Sequence, residues 1–144
     1  MLLRPLTLAA LLLTPATGAQ ADIFDELHGS VWAFDTRLGM RCHENAHTIH
    51  FNADRTEAYF AWDTPMVNYK NEIDQDATYD VIEHDDTSIT LYLHEESRVT
   101  ESGSPVVWIL RLPDATTYCW DRTDWLPGQC THVHVRCGAP AIIS

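Results

Sequence analysis

Positive charge is what this chain has least of. Lys70 is the only lysine, and nine basic side chains face twenty-one acidic ones, for a net charge of −12 over 144 residues. Such a surface repels phosphates and acidic headgroups, which argues against nucleic acid and anionic membranes as partners; a cationic partner or a metal ion is electrostatically easier. The same acidity also serves simply to keep an exported protein soluble. Long apolar runs are missing after the first twenty-one residues, so no later segment reads as a membrane-spanning helix. No Gly-x-Ser-x-Gly, phosphate-binding loop or dinucleotide fingerprint is present, so no named catalytic chemistry is written in the chain. Carboxylates are plentiful, but nothing singles out a catalytic pair. The absence of any Asn-x-Ser/Thr site fits a bacterial envelope better than a eukaryotic secretory route.

The N-terminus has the three parts of an export leader. Arg4 is the only charged side chain before Asp22, residues 6–13 are apolar, and Ala19-Gln20-Ala21 supplies a small-x-small cleavage site. Residues 1–21 are therefore expected to be a cleavable signal peptide and residues 22–144 a single domain, periplasmic or secreted. The apolar run is too short to cross a bilayer, which needs about 20 apolar residues. Removing Arg4 leaves eight basic residues against twenty-one acidic, a net charge of −13.

All four cysteines, Cys42, Cys119, Cys130 and Cys137, lie after the leader. An even count in a small exported domain reads as two disulfides. If residues 131–136 are extended at roughly 3.3 Å each, Cys130 and Cys137 lie about 20 Å apart, too far to bridge. Cys119 and Cys130 sit symmetrically about a hairpin near Asp124-Trp125, which pairs them and leaves Cys42 for Cys137. Cys42–Cys130 with Cys119–Cys137 is the other open pairing.

Along the chain, residues 22–27 predict a helical turn, stopped at His28-Gly29-Ser30. Strands follow at 30–36, 40–43, 46–52, 57–62, 77–84, 88–95, 106–112, 116–122 and 131–137. Residues 88–95 alternate cleanly, with Ile89, Leu91 and Leu93 on one face. Residues 63–76, with Pro65 and several acids, are expected to be a long loop over one end of a barrel. Eight or nine short strands with turns every 8 to 12 residues give an all-β fold: an antiparallel up-and-down barrel, with a sandwich as the alternative.

The helical turn followed by Gly29-Ser30-Val31-Trp32 at the head of the first strand resembles lipocalin-type (calycin) barrels. Small envelope lysozyme-inhibitor barrels are similar in size and export, although no inhibitor loop motif is present. The resemblance implies a closed meander barrel.

Three sets of side chains could carry function. Trp62 and Tyr69 flank the expected loop and are candidates for a pocket mouth. Trp125, at the expected tip of the last hairpin, is a candidate partner anchor unless it folds back on that hairpin. Trp32, Phe34, Phe51 and Trp108 read as barrel-filling core. His132 and His134 share a strand face by alternation and could present two nitrogens to a divalent transition metal, with a third from His43, His47 or His50. The plain alternative is imidazoles on a wet face. Residues 71–76 offer oxygens but lack the spacing of a calcium loop. The function expected is a non-catalytic envelope binding or accessory protein. It would hold a small ligand or dock on a cationic envelope protein; the alternative is a metal-binding protein on the His-x-His pair.

Overall fold

The computed structural model describes residues 21–36, 39–40 and 42–138. Residues 1–20 of the expected leader, Arg37 and Leu38 between the first two expected strands, Arg41 of the second, and the tail after Gly138 lie outside the described residues. One short helix precedes nine strands: α1 (Ile23–Leu27), β1 (Val31–Thr36), β2 (Gly39–Met40), β3 (Ala46–Phe51), β4 (Glu57–Val67), β5 (Ile73–His84), β6 (Ser88–Leu93), β7 (Trp108–Asp114), β8 (Thr117–Arg122) and β9 (Thr131–Arg136). From β3 to β9 each strand pairs antiparallel with the next. β1 pairs with β3 through Val31↔Thr48 and with β9 through Trp32↔Arg136, Ala33↔Val135 and Phe34↔His134. The last ladder closes an eight-strand antiparallel barrel, and β2 adds two residues beside the end of β1. The expected barrel is therefore the fold, and the sandwich is not.

Alternation decides what fills it. On β3, Ile49 is buried and His50 exposed; on β4, Ala58 and Phe60 are buried while Glu57 and Tyr59 are exposed. Ile89 and Leu91 from β6, Leu110 from β7 and Tyr118 from β8 complete the inner set. Closure pairs β1 with β9, so neither end strand of the barrel sheet is left open.

Helix α1 closes one end. Five residues are too few for a stable free helix, so tertiary burial holds it. Ile23, Phe24 and Leu27 are fully buried, each contributing on the order of 1.5–3 kcal/mol. Phe24 meets the rings of Phe51 and His84 edge-on at 4.8 Å each. Asp22 caps the helix, accepting from the Phe24 N–H at 3.1 Å, a bond that holds its carboxyl below the usual range. Gly29, at φ +71, lets the chain turn from α1 into β1, and its N–H donates to the Ile49 carbonyl at 2.8 Å. The short turns follow from side-chain chemistry. Asp85 Oδ1 accepts from the Thr87 and Ser88 N–H groups at 2.8 Å each, and Asp114 Oδ1 does the same for Thr116.

The structure corrects one expected element. Residues 63–76 are not a long loop: β4 runs on to Val67 and β5 starts at Ile73, paired through Met66↔Asp74 and Val67↔Ile73 after a register shift past Ala61. The irregularity absorbs Pro65, which cannot donate to a ladder. Asn68 then organises the turn: its Oδ1 accepts from the Lys70 and Glu72 N–H groups at 2.8 and 3.0 Å. Smaller differences occur at residues 106–107, which precede β7, and at Cys42 and His43, which lie in a turn.

Both expected disulfides are present. Cys42–Cys137 joins the segment between β2 and β3 to the end of β9, and Cys119–Cys130 spans the β8–β9 connection. No described cysteine is free. Two such bridges suit an oxidising compartment.

Candidate functional site

With α1 sealing one end, the inner space remains open at the other, where β4 ends and β5 and β9 begin. A cavity of about 920 Å³ lies there. Its wall is aromatic: Phe34 from β1, Phe60 and Trp62 from β4, Tyr79 from β5, Trp108 from β7, and Tyr118 and Trp120 from β8 all line it. Trp120 is the hub, with ring centroids 5.7 Å from Phe60, 5.9 Å from Tyr79, 5.9 Å from Trp108 and 6.1 Å from Tyr118. Of the four rings expected as core, Trp32 belongs to it, Phe51 and Trp108 pack against it half-buried, and Phe34 and Trp108 line the cavity.

The polar part of the wall is a group of three rings. His47 Nε2 lies 2.5 Å from Tyr118 Oη. The Tyr118 ring stacks on His134, with centroids 4.4 Å apart and 8° between planes, and His134 stands perpendicular to His47 at 5.2 Å. Burial pushes the His47 imidazole down to about 4. Burial, and then the neighbouring His47, push His134 down to about 3. Burial lifts the Tyr79 phenol to about 12 and Tyr118 well above the usual value. All four groups are thus neutral near pH 7.

The His47 Nε2–Tyr118 Oη contact can run in either direction, since a neutral imidazole nitrogen and a phenol can each donate or accept. His47 Nδ1 is buried without a partner, and so is His134 Nδ1. An unpartnered buried polar group costs about 1–3 kcal/mol, and both belong to residues of the cavity wall.

At the mouth, Tyr69 on the β4–β5 turn accepts from the Ser97 N–H at 3.1 Å and stands 3.3 Å from the Glu95 carbonyl. Arg98 lies 3.8 Å over the Tyr69 ring and 5.1 Å over Trp108. Its Nε and Nη2 donate to the two oxygens of Glu96 at 2.8 and 2.7 Å. Burial raises the Glu96 carboxyl, but the hydrogen bonds from Arg98 outweigh it and hold the group below its usual range.

The sequence-based candidates divide. Trp62 and Tyr69 line the cavity, as do His47, His132 and His134. Trp125 does not; it is half-buried, edge-on to Trp108 at 6.0 Å with Arg122 above its ring. His43 is exposed in a turn, and His50 is exposed on the outer face of β3. His132 adopts φ 47 where the β8–β9 register shifts, so a bulge interrupts the His-x-His alternation. Among the described residues, the one set of three potential ligand atoms within 4.8 Å of each other is Glu57, Asp80 and His94, exposed on the outer wall. Phe60, Tyr79, Tyr118, Trp120 and Arg98 were not singled out from sequence. Alternation along their strands carries a signal for the four rings, but only closure shows that they meet.

Comparison with protein-family models, curated proteins and solved structures finds no match.

Proposed function

We propose that this protein binds a small organic molecule inside its barrel, in the manner of a lipocalin-like carrier, without catalysing a reaction. The observation that carries the reading is the aromatic cavity at the open end, next to two imidazoles with buried, unpartnered Nδ1 atoms. Its volume falls within the roughly 300–1,000 Å³ of small-molecule sites. A void lined by large rings forgoes dispersion contacts, and a ligand would restore them. The paired cysteines and the leader-like first twenty-one residues support a place in the periplasm or outside the cell. The metal reading on His132 and His134 has less support: His47 joins them at the cavity, but its Nε2 is already engaged by Tyr118.

The test is native mass spectrometry of protein purified from its own host, followed by the denatured mass of the same sample. The reading expects a bound species of a few hundred daltons that is lost on denaturation. Adding that compound back at 100 times its Kd should stabilise the fold by about 2.7 kcal/mol. A bare native mass, with no thermal stabilisation across a library of small organic compounds, would overturn it.

A further inference from the structure

The cavity's chemistry also selects among ligands, and this step rests on the proposed small-molecule reading. We infer that the ligand is an organic cation, an amine or quaternary ammonium on an apolar body, held against the rings of Trp62 and Trp120.

Three observations carry this. The first is the wall. Ring faces carry negative electrostatic potential, so a desolvated ammonium among several of them is attracted, and tryptophan is the strongest partner. Phe60, Tyr79, Trp108 and Tyr118 surround Trp120 within 6.1 Å between centroids, and Trp62 stacks 6.2 Å from Phe60, so a cation in the cavity lies among several rings; Trp108 already carries Arg98 and Arg122.

The second is the shortage of positive partners for an anion inside the wall. Among the histidines in the wall, His47 and His134 are neutral near pH 7, the second suppressed in part by the first. The cations at the mouth are Lys70 and Arg98. Arg98 is already matched by the forked contact with Glu96 and lies under two aromatic rings. A carboxylate or phosphate ligand would have to break that pair or rely on Lys70, out on the exposed β4–β5 turn.

The third is the rim. Glu72, Asp74, Asp76 and Glu95 all border the cavity. With Glu96 they make five carboxylates against two cations, within a chain of net charge −12. Such a rim concentrates cations at the mouth and repels anions, an effect that weakens as salt rises.

The experiment uses three probes of one shape: 4-hydroxybenzyltrimethylammonium, its uncharged carbon isostere 4-neopentylphenol, and 4-hydroxyphenylmethanesulfonate. Each is titrated against the mature protein by tryptophan fluorescence at low salt and at about 0.5 M salt. The inference expects the ammonium to bind at least tenfold more tightly than the neutral probe, and the sulfonate to bind most weakly. Neutralising the exposed rim with Glu72→Gln, Asp74→Asn and Asp76→Asn together should weaken the ammonium several-fold at low salt and leave the neutral probe unchanged. These side chains are exposed, so the variant keeps the core intact. Equal or tighter binding of the neutral probe or the sulfonate overturns the cation inference and leaves the cavity reading standing. No binding of any probe overturns the cation inference, while the cavity reading stands or falls on the native mass and the compound library.

Discussion

His47 and His134 make the stability of this protein depend on pH in a particular window. Unfolded, each takes up a proton near pH 6.5; folded, burial delays that to about 4 for His47 and about 3 for His134. Between those values the unfolded chain binds more protons than the folded one, so stability falls as pH drops from about 6.5 towards 4. Each histidine contributes a slope of about 1.4 kcal/mol per pH unit. The groups around them are Tyr118 on β8, Phe60 and Trp62 on β4, Phe34 on β1 and His132 on β9, and none of the four rings from β1, β4 and β8 can offer a countercharge. Urea denaturation at pH 6.0 and 4.5 should show this slope in the wild type and about half of it in His47→Gln. Asp22, Asp85 and Asp114 are held below their usual range by hydrogen bonds and lose stabilisation in a lower window, so they do not mask the effect. A slope unchanged by the substitution would show that His47 is not held neutral. The Tyr118 hydroxyl was not legible in the sequence as a partner for His47. Seventy-one residues separate them, and only barrel closure sets them face to face.

At the scale of elements, most strands could be read from alternation and turn chemistry, because one face of each is buried. The β4–β5 hairpin could not. Val67 and Ile73 are exposed, so its tip has no buried face to impose period two, and Pro65 reads as a breaker. Cross-strand pairing and the Asn68 turn hold it instead. The His132 bulge was not legible either: histidine is enriched at positive φ, but such residues are too uncommon for one histidine in eight to mark a bulge. The disulfides were legible because strand rise limits which cysteines can meet. They should differ in weight. Cys42–Cys137 closes a separation of 95 residues and Cys119–Cys130 one of 11. Chain entropy gives about 4.7 kcal/mol for a loop near a hundred residues and about 3 kcal/mol or slightly less for a short one. Replacing each pair by alanine and measuring urea unfolding should therefore show the larger loss for Cys42→Ala/Cys137→Ala. An equal or reversed order would mean that native packing, not loop closure, sets the contributions.

For the whole molecule, the polarity of the barrel is what gives it a site. Ile23, Phe24 and Leu27 fill the α1 end with apolar side chains, and Trp32 and Ile49 continue that packing inward. Towards the other end the inward positions pass to large rings that meet around a space. The β4–β5 hairpin and the Arg98–Glu96 pair then border its opening. From sequence, the barrel and two mouth residues, Trp62 and Tyr69, could be expected; the wall could not. Whether a ring fills a barrel or lines a void depends on which inward residues share a level, and strand register alone sets that.

The most direct test of this arrangement is fluorine NMR of protein labelled with 5-fluorotryptophan, saturated with the tightest-binding of the three probes. Five tryptophans give five resonances. Ligand in the cavity should shift Trp62, Trp108 and Trp120 strongly and Trp32 far less, with each line assigned by single Trp→Phe substitution. If those three lines stay fixed while Trp32 or Trp125 moves, the ligand sits elsewhere and the cavity is not the site.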